Sequence, residues 1–599
     1  MGVLLVAGVA FKWRYMLCFD CCKKKNNTVI GVNLKDRFQM FNVVKLVLIL
    51  CLNFCLVACG GGGSNDSVDE EVTFSLTVSN TNPSNNAASV SRSDSITAKF
   101  NENLLVSSVD GSRYYLQSQS GYESISVSVS GSVASLVAIE PLLLLTPYTA
   151  TLSAQIEGES GAKLESDFSW SFITEDGEWG EAVKIENGAA SGRDVQVAVN
   201  ESGNALAVWV QSNGVQDSIW ANRYTAIDGW GTAALIETND AGPAATPQLA
   251  IDDDGNVLVV WSQSNGSVAS VWANRYTVGA GWGVAGLLEV DDTGAVLNPK
   301  IAVDNNGNTF AIWSQYDGPH GIPGGTAKSY IWVNYYTVGI GWGVAEQIEA
   351  HSQGGAGYPE IAFDDEGNAL AIWTQTGVAE HIWASRYSVG AGWGVAEEIE
   401  AAGMGNGFLP DIAFDDAGNA IAVWGQYDGV NTNIWSNRYA AGVGWGEAER
   451  IENSAVDSGS FPRIAVDSLG SALVVWQQMD SGRSSIWANR YSLNVGWGEA
   501  ELIESNDVGH AYAPHLAVDS NGNAMAIWRQ NSLTARSDIW FSRYLNNKGW
   551  ESPELVETND IEASFAPGLA VDGNGRFMAA WFQLDYITGT NNIWANRFE

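Results

Sequence analysis

The sequence predicts an all-β chain, a β-sandwich followed by an eight-bladed β-propeller that is closed by a strand on its N-terminal side. Three observations carry this. The composition is rich in aromatic and turn-forming residues, with 26 Trp, 65 Gly and only 16% charged residues in 599, the profile of short strands joined by tight turns. A unit of about 50 residues recurs eight times and divides into four strand-like segments, which is the period of a propeller blade. Finally, the eighth unit lacks its fourth segment, while an orphan copy of that segment precedes the first unit.

Length and charge set the outer bounds. A chain of 599 residues calls for two or more domains. Its formal net charge is −38, from 68 acidic against 30 basic residues, and such a surface repels polyphosphate, so no nucleic-acid partner is expected. All six cysteines lie at Cys18, Cys21, Cys22, Cys51, Cys55 and Cys59, so no disulfide can form within the chain beyond position 59. The "CFDCC" cluster lacks a second ligand pair at metal-site spacing and reads as part of a discarded leader. No metal and no cofactor is expected.

From Met40 the text runs "MFNVVKLVLILCLNFCLVACGGGGSND": a Lys, an apolar run of signal-peptide length, small residues, then a Gly/Ser tract. The stretch Leu56 to Cys59, "LVAC", resembles a bacterial lipobox. That resemblance implies cleavage before Cys59 and lipidation of its thiol, and several acyl chains on one residue give stable anchoring. Gly60, where an inner-membrane retention Asp would stand, implies an outer-membrane destination. Residues 1–39 are therefore read as an upstream mis-start or leader, 40–58 as the signal peptide and 59–71 as a tether too polar and too glycine-rich to bury a core.

Residues 72–175 contain alternating runs such as "VTFSLTVSN", "DSITAKFNENL", "SISVSVSG", "PYTATLSAQI" and "DFSWSFITED". Several short strands in about 100 residues suggest a β-sandwich. The opening "NPSNNAASVSRSDSITAKFNENL", the later "LLTPYTATL" and the closing Phe172–Thr174 resemble the SbsA-type bacterial Ig-like domain. The resemblance implies a spacer module and brings no site residues with it.

Residues 176–599 hold the repeat. The Trp of the "IWANRY" segment falls at 220, 272, 332, 383, 435, 487, 540 and 594, a spacing of 51 to 54 residues apart from one interval of 60. Segment one reads "PxIAVD", segment two "GNALAVWxQ", segment three "IWANRY" and segment four "GWGxAExIE". The "DxxGN" link is a short hairpin whose glycine, as at Gly255 or Gly367, takes the left-handed conformation. Segment two is apolar at nearly every position, which suits a strand covered on both faces. The orphan "GEWGEAVKIE" (177–186) is predicted to pair with "NNIWANRFE" and complete the eighth unit, removing two open edges.

Residues repeated in every unit are first read as builders of the blade. Asp252, Asp304, Asp364, Asp415, Asp467, Asp519 and Asp572 open the hairpins and are assigned to turn chemistry, with calcium as the alternative. The sialidase Asp-box fails on spacing. Arg223, Arg275, Arg386, Arg438, Arg490, Arg543 and Arg597 are expected to pair with a segment-four Glu or to stack on Trp. The "WxQ" glutamines, Gln211 through Gln583, are expected to form a polar ring at the end of segment two. The Trp- and Arg-rich units resemble fucose-binding propeller lectins, but motif order differs and those rings have fewer blades, so no binding residue is carried over. No nucleophile, phosphate-loop or zinc-protease motif is present.

Departures from the repeat are the better functional clue. The third unit carries the insertion "YDGPHGIPGGTAKSY" (316–330) and has Tyr335 where the others have Arg. Variable loops on a rigid scaffold are where binding normally resides, so Tyr316, His320, Lys328 and Tyr335 are the candidate ligand-binding residues and no catalytic residue is assigned. The expected function is that of a monomeric, lipid-anchored outer-membrane protein with the propeller as recognition scaffold for an extracellular glycan or protein. Two alternatives stay open: a glycoside-active propeller enzyme with acidic residues at the central channel, and a purely structural or adhesive surface protein.

Overall fold

The computed structural model describes residues 75–118, 121–188, 190–238, 242–289, 294–318, 327–349, 354–377, 379–401, 403–452, 458–480, 482–504, 509–532, 536–546, 548–557 and 563–599. The leader, Cys59 and the tether lie outside them, as does His320. Among the described residues no helix is long and apolar enough to cross a membrane.

The N-terminal body is a sandwich of two sheets. One has the strand order Val78–Asn82, Ile96–Phe100, Val133–Ala138, Ile125–Ser130; the other runs Ala87–Val90, Phe168–Thr174, Pro147–Leu152, Tyr114–Ser118, Gly121–Tyr122. The period-2 pattern puts Ile96, Ala98 and Phe100 on one inner face against Tyr148, Ala150, Leu152, Trp170 and Phe172 on the other, all buried. The buried hydroxyl of Tyr114 donates across the sheets to Ile96 O at 2.7 Å, so the ring's polar tip is satisfied inside the core.

Eight similar sheets follow. In sheet one, Gly192–Val199, Ala205–Ser212 and Asp217–Thr225 form an antiparallel meander. The second strand is buried along nearly its whole length, as expected of a strand covered on both faces. Its Trp209 and the equivalents Trp261, Trp313, Trp373, Trp424, Trp476, Trp528 and Trp581 are wholly buried. In seven of the sheets that Trp Nε1 donates to the glutamine two residues on, as from Trp209 to Gln211 Oε1 at 3.0 Å. The glutamines thus satisfy the buried indoles.

Segment four, expected as one strand, is two. Gly229–Trp230 and Ala234–Leu235 both pair with the third strand. Between them Asn222 Nδ2 donates to Gly231 O at 3.1 Å and Gly231 N to Arg223 O at 2.8 Å. The "GWG" glycines serve the turn and the break: Gly229, in the turn that leads into the first piece, has φ +74°, a conformation costly for other residues, and a Cβ on Gly231 would stand 3.4 Å from Arg223 O. The hairpin aspartates behave as turn residues. Asp252 Oδ1 accepts Asn256 N at 2.7 Å, with Gly255 at φ +80°, and Asp304, Asp364, Asp415, Asp467, Asp519 and Asp572 accept turn amides likewise.

The orphan segment pairs as its sequence suggested. Val183 and Lys184 stand opposite Ala595 and Trp594 of Thr590–Phe598, making sheet eight the strand order 183–184, 590–598, 577–585, 563–571. Each first strand packs beside the first strand of the next sheet, and that of sheet eight packs beside that of sheet one. The repeated arginines sit at these junctions, with different partners from those expected. Arg223, Arg275, Arg386, Arg438 and Arg490 lie over the rings of Tyr276, Tyr336, Tyr439, Tyr491 and Tyr544 in the following sheet, at 5.0 to 5.9 Å. Several also reach the hairpin Asp of their own sheet, as Arg386 Nη2 to Asp364 Oδ2 at 3.2 Å. Tyrosine is the partner because the wedge between sheets brings the two "RY" pairs together. Repeated sheets packed in this way are a propeller-like arrangement.

Candidate functional site

The first strands carry the site. Each contains a β-bulge at which a non-glycine residue has φ near +50°: Asp194, Thr246, Asn298, Tyr358, Leu409, Phe461, Ala513 and Ala566. Such a conformation costs about 1–2 kcal/mol per residue, so an eightfold repetition calls for a compensating purpose. Two residues after each bulge comes the "x" of "PxIA". It is Gln196, Gln248, Lys300, Glu360, Asp411, Arg463, His515 and Gly568 in sheets one to eight. The residues on either side of the "x" largely repeat, whereas the bulge, the residue before it and the "x" each take seven residue types over the eight sheets.

The first strands of sheets two to six line a single cavity of about 200 Å³. On its wall Lys300 Nζ stands 2.6 Å from Glu360 Oε1. Asp411 Oδ2 accepts Ile464 N from the next strand at 3.1 Å, and its Oδ1 accepts Ile412 N at 3.0 Å. Burial raises the Asp411 carboxyl above the ordinary range; the Arg463 guanidinium opposes this and the Glu360 carboxylate adds to it. Arg463 Nη1 donates to Pro462 O at 3.2 Å. On the following strand His515 is pushed down to about 3, first by burial and then by Arg463 and Lys300, so its imidazole is neutral. Tyr358 and Phe461 stand at the bulges, 53% and 44% exposed. The residues on and beside the cavity combine apolar faces, fixed cations, a carboxylate, a carboxyl of raised proton affinity and a neutral imidazole. That chemistry suits a polar ligand with an apolar face, and it contains an acid and a base but no activated nucleophile.

Tyr316 and Lys328 sit together at the base of the sheet-three insertion. Asp317 N donates to Lys328 O at 2.9 Å and Lys328 N to Asp317 Oδ1 at 2.9 Å. Tyr316 lines a second cavity of about 290 Å³ with Gln315, Asp317, Tyr330, Trp332 and Gln347, and Tyr330 donates to Asp317 Oδ2 at 3.3 Å. Tyr335 is not brought there. It pairs with Phe310 at the far end of the hairpin whose near end is Tyr316–Ser329. Its ring lies 4.5 Å from Phe310 and 5.8 Å from Tyr387 of sheet four, and burial pushes its hydroxyl up to about 12. It fills the junction that arginine fills elsewhere. The sequence reading passed over the first-strand ring, although the variable "x" inside an otherwise constant motif was its signal.

Residues 72–174 match the family model of the bacterial Ig-like domain. The Ig-like expectation for that segment is therefore met, in a sandwich that supplies none of the cavity residues. No curated protein matches the chain. Among solved structures, the chain is similar to a protein of unknown function from Dyadobacter fermentans, at 13% identity and TM-score 0.38, covering 71% of this chain and 99% of that one. It is also similar to the lectin BP39L from Burkholderia pseudomallei, at 11% identity and TM-score 0.45, covering 61% and 99%. An ulvan lyase of a new polysaccharide lyase family aligns at 11% identity and TM-score 0.41, covering 60% and 92%. Likenesses this remote assign neither ligand nor reaction.

Proposed function

We propose that the eight sheets close into a β-propeller and that the chain is a monomeric binding protein, lipid-anchored through Cys59 at the outer membrane, with the Ig-like domain as spacer. Closure is supported by the pairing of 183–184 with 590–598 and by the packing of sheet eight against sheet one. In such a ring the first strands line the central channel, and the bulges present Tyr358 and Phe461 at its wall. The single observation that carries the binding reading is the variation of the first strands at and beside the bulge, including the "x" two residues on, while the second and third strands behind them repeat. The ligand is a glycan or an extracellular polypeptide: aromatic faces beside fixed hydrogen-bonding groups suit both.

One observation favours the enzyme as the second reading. Burial raises the proton affinity of the Asp411 carboxyl close to Glu360, and a pair of carboxyl groups of which one is raised is what glycoside cleavage uses. The experiment is a glycan and peptide array probed with the wild-type chain, with Arg463→Ala and with a variant whose residues 317–329 are replaced by the short link of sheet two. Binding lost in the first variant and kept in the second supports the channel. The reverse result moves the site to the insertion. Shortening of a bound polysaccharide by wild type but not by Asp411→Asn selects the enzyme.

A further inference from the structure

Every sheet ends its outer strand in a glutamate, and the surroundings of that carboxylate differ in one sheet in a way that calls for a cation. In sheet eight Lys184 sits opposite Trp594, and its Nζ lies 2.7 Å from Glu186 Oε1 and 3.0 Å from Asn592 Oδ1. A positive charge therefore occupies the space between the terminal glutamate and the third strand. In sheet three the same place is taken by Gln347, whose Nε2 donates to Glu349 Oε1 at 3.1 Å. Four other sheets have leucine there: Leu235, Leu287, Leu502 and Leu555. Sheet four alone has an acid, Glu398, and alone has a histidine, His381, at the third-strand position opposite the "WxQ" glutamine.

We propose that His381, Glu398 and Glu400 bind a divalent ion of the zinc type at the place where Lys184 puts its ammonium in sheet eight. His381 Nδ1 is 2.7 Å from Glu400 Oε1 and 3.6 Å from Glu398 Oε1, and one donor atom from each residue lies within 4.8 Å of the others. Ligands at about 2.0–2.2 Å around a tetrahedral zinc stand about 3.3 Å apart, so small side-chain rotations suffice. The second Glu400 oxygen accepts Ile382 N at 2.9 Å, which fixes the carboxylate's direction, and its side chain is 1% exposed. Glu398 is exposed and leaves a route for the ion and for a water as fourth ligand. One imidazole with two carboxylates and no thiolate suits zinc and its first-row neighbours better than calcium, which takes oxygen ligands in greater number.

Zinc equivalents are counted by competition with a chromophoric chelator on the full chain, and melting is recorded with zinc and with EDTA. The cysteines at 18, 21 and 22 contribute equally in every variant, so the readout is a difference. Wild type should hold one more equivalent than His381→Ala, Glu398→Leu and Glu398→Lys, and zinc should raise its melting temperature by several degrees. The Lys variant recreates the sheet-eight arrangement and should melt in EDTA no lower than wild type, which separates loss of metal from loss of fold. Equal equivalents in wild type and Glu398→Lys would overturn the proposal and leave a His381–Glu400 hydrogen bond alone.

Discussion

Arg597 in the last strand stacks on Tyr224 of sheet one, with its guanidinium carbon 5.1 Å from the ring centroid and Nη1 2.5 Å from the phenol oxygen. The same step joins sheets one and two through Arg223 and Tyr276. Sheets seven and eight are joined by Arg543 over Phe598 at 4.6 Å, and sheets three and four by Tyr335 on Tyr387. The first-to-last junction therefore uses the same contact as the junctions inside the repeat. With its side chain only 12% exposed, Arg597 should contribute about 1–2 kcal/mol. Arg597→Ala should lower the urea midpoint accordingly, and Arg597→Lys should recover less than half, because an ammonium lacks the planar face.

Trp179, from the segment that precedes sheet one, packs at the junction of sheets seven and eight. Its ring meets Phe541 and Phe598 edge-on at 5.5 and 5.6 Å, in a cluster that includes Val556 and Trp581. Trp179→Ala should cost about 3 kcal/mol. Deleting 177–186 should cost more and cause aggregation, since it exposes the edge of 590–598. Calorimetry and light scattering read both effects.

The outer-strand glutamates should make the protein more stable in mild acid than in mild alkali. Burial raises Glu349 and Glu452 to about 7, and raises Glu557, beside Asp538, to about 9, from an ordinary 4.5. Between about pH 5 and 9 the folded chain holds protons that the unfolded chain has released, so stability falls as pH rises through those values. The melting temperature should drop by several degrees from pH 5.5 to pH 8.5. Glu557→Gln should flatten the upper part of that slope.

Tyr335 should behave as packing. Phe310 stands where most sheets have a smaller aliphatic residue, and together the two rings fill the junction. Tyr335→Ala should cost about 3 kcal/mol and Tyr335→Phe little, while neither changes affinity for a ligand bound at the sheet-three insertion. Denaturant titration paired with a binding isotherm separates the two roles.

The period, the hairpin glycines and the pairing of 177–186 with the last strand were legible because each is written in local pattern or in what a unit lacks. The partners of the arginines were not. They lie in the neighbouring sheet, about fifty residues away, and depend on the angle between sheets. The first-strand ring was hidden for another reason. A bulge interrupts the alternation of faces, so period-2 reading does not tell which side chain faces the cavity. The split of segment four was hidden in glycines that read equally well as strand ends.

Closure is the claim on which the channel and its ring of variable residues depend. Glu178 and Glu599, both exposed, exchange backbone hydrogen bonds, with N to O distances of 3.1 Å in each direction. Such directly opposed antiparallel pairs have Cα atoms about 5.5 Å apart, within disulfide range. A Glu178→Cys, Glu599→Cys variant, oxidised mildly at high dilution and mapped by peptide mass spectrometry, measures closure directly. The closed ring predicts one intramolecular 178–599 disulfide in nearly every monomer, with melting unchanged or raised. Free thiols at both positions, or cross-links only between molecules, would contradict it.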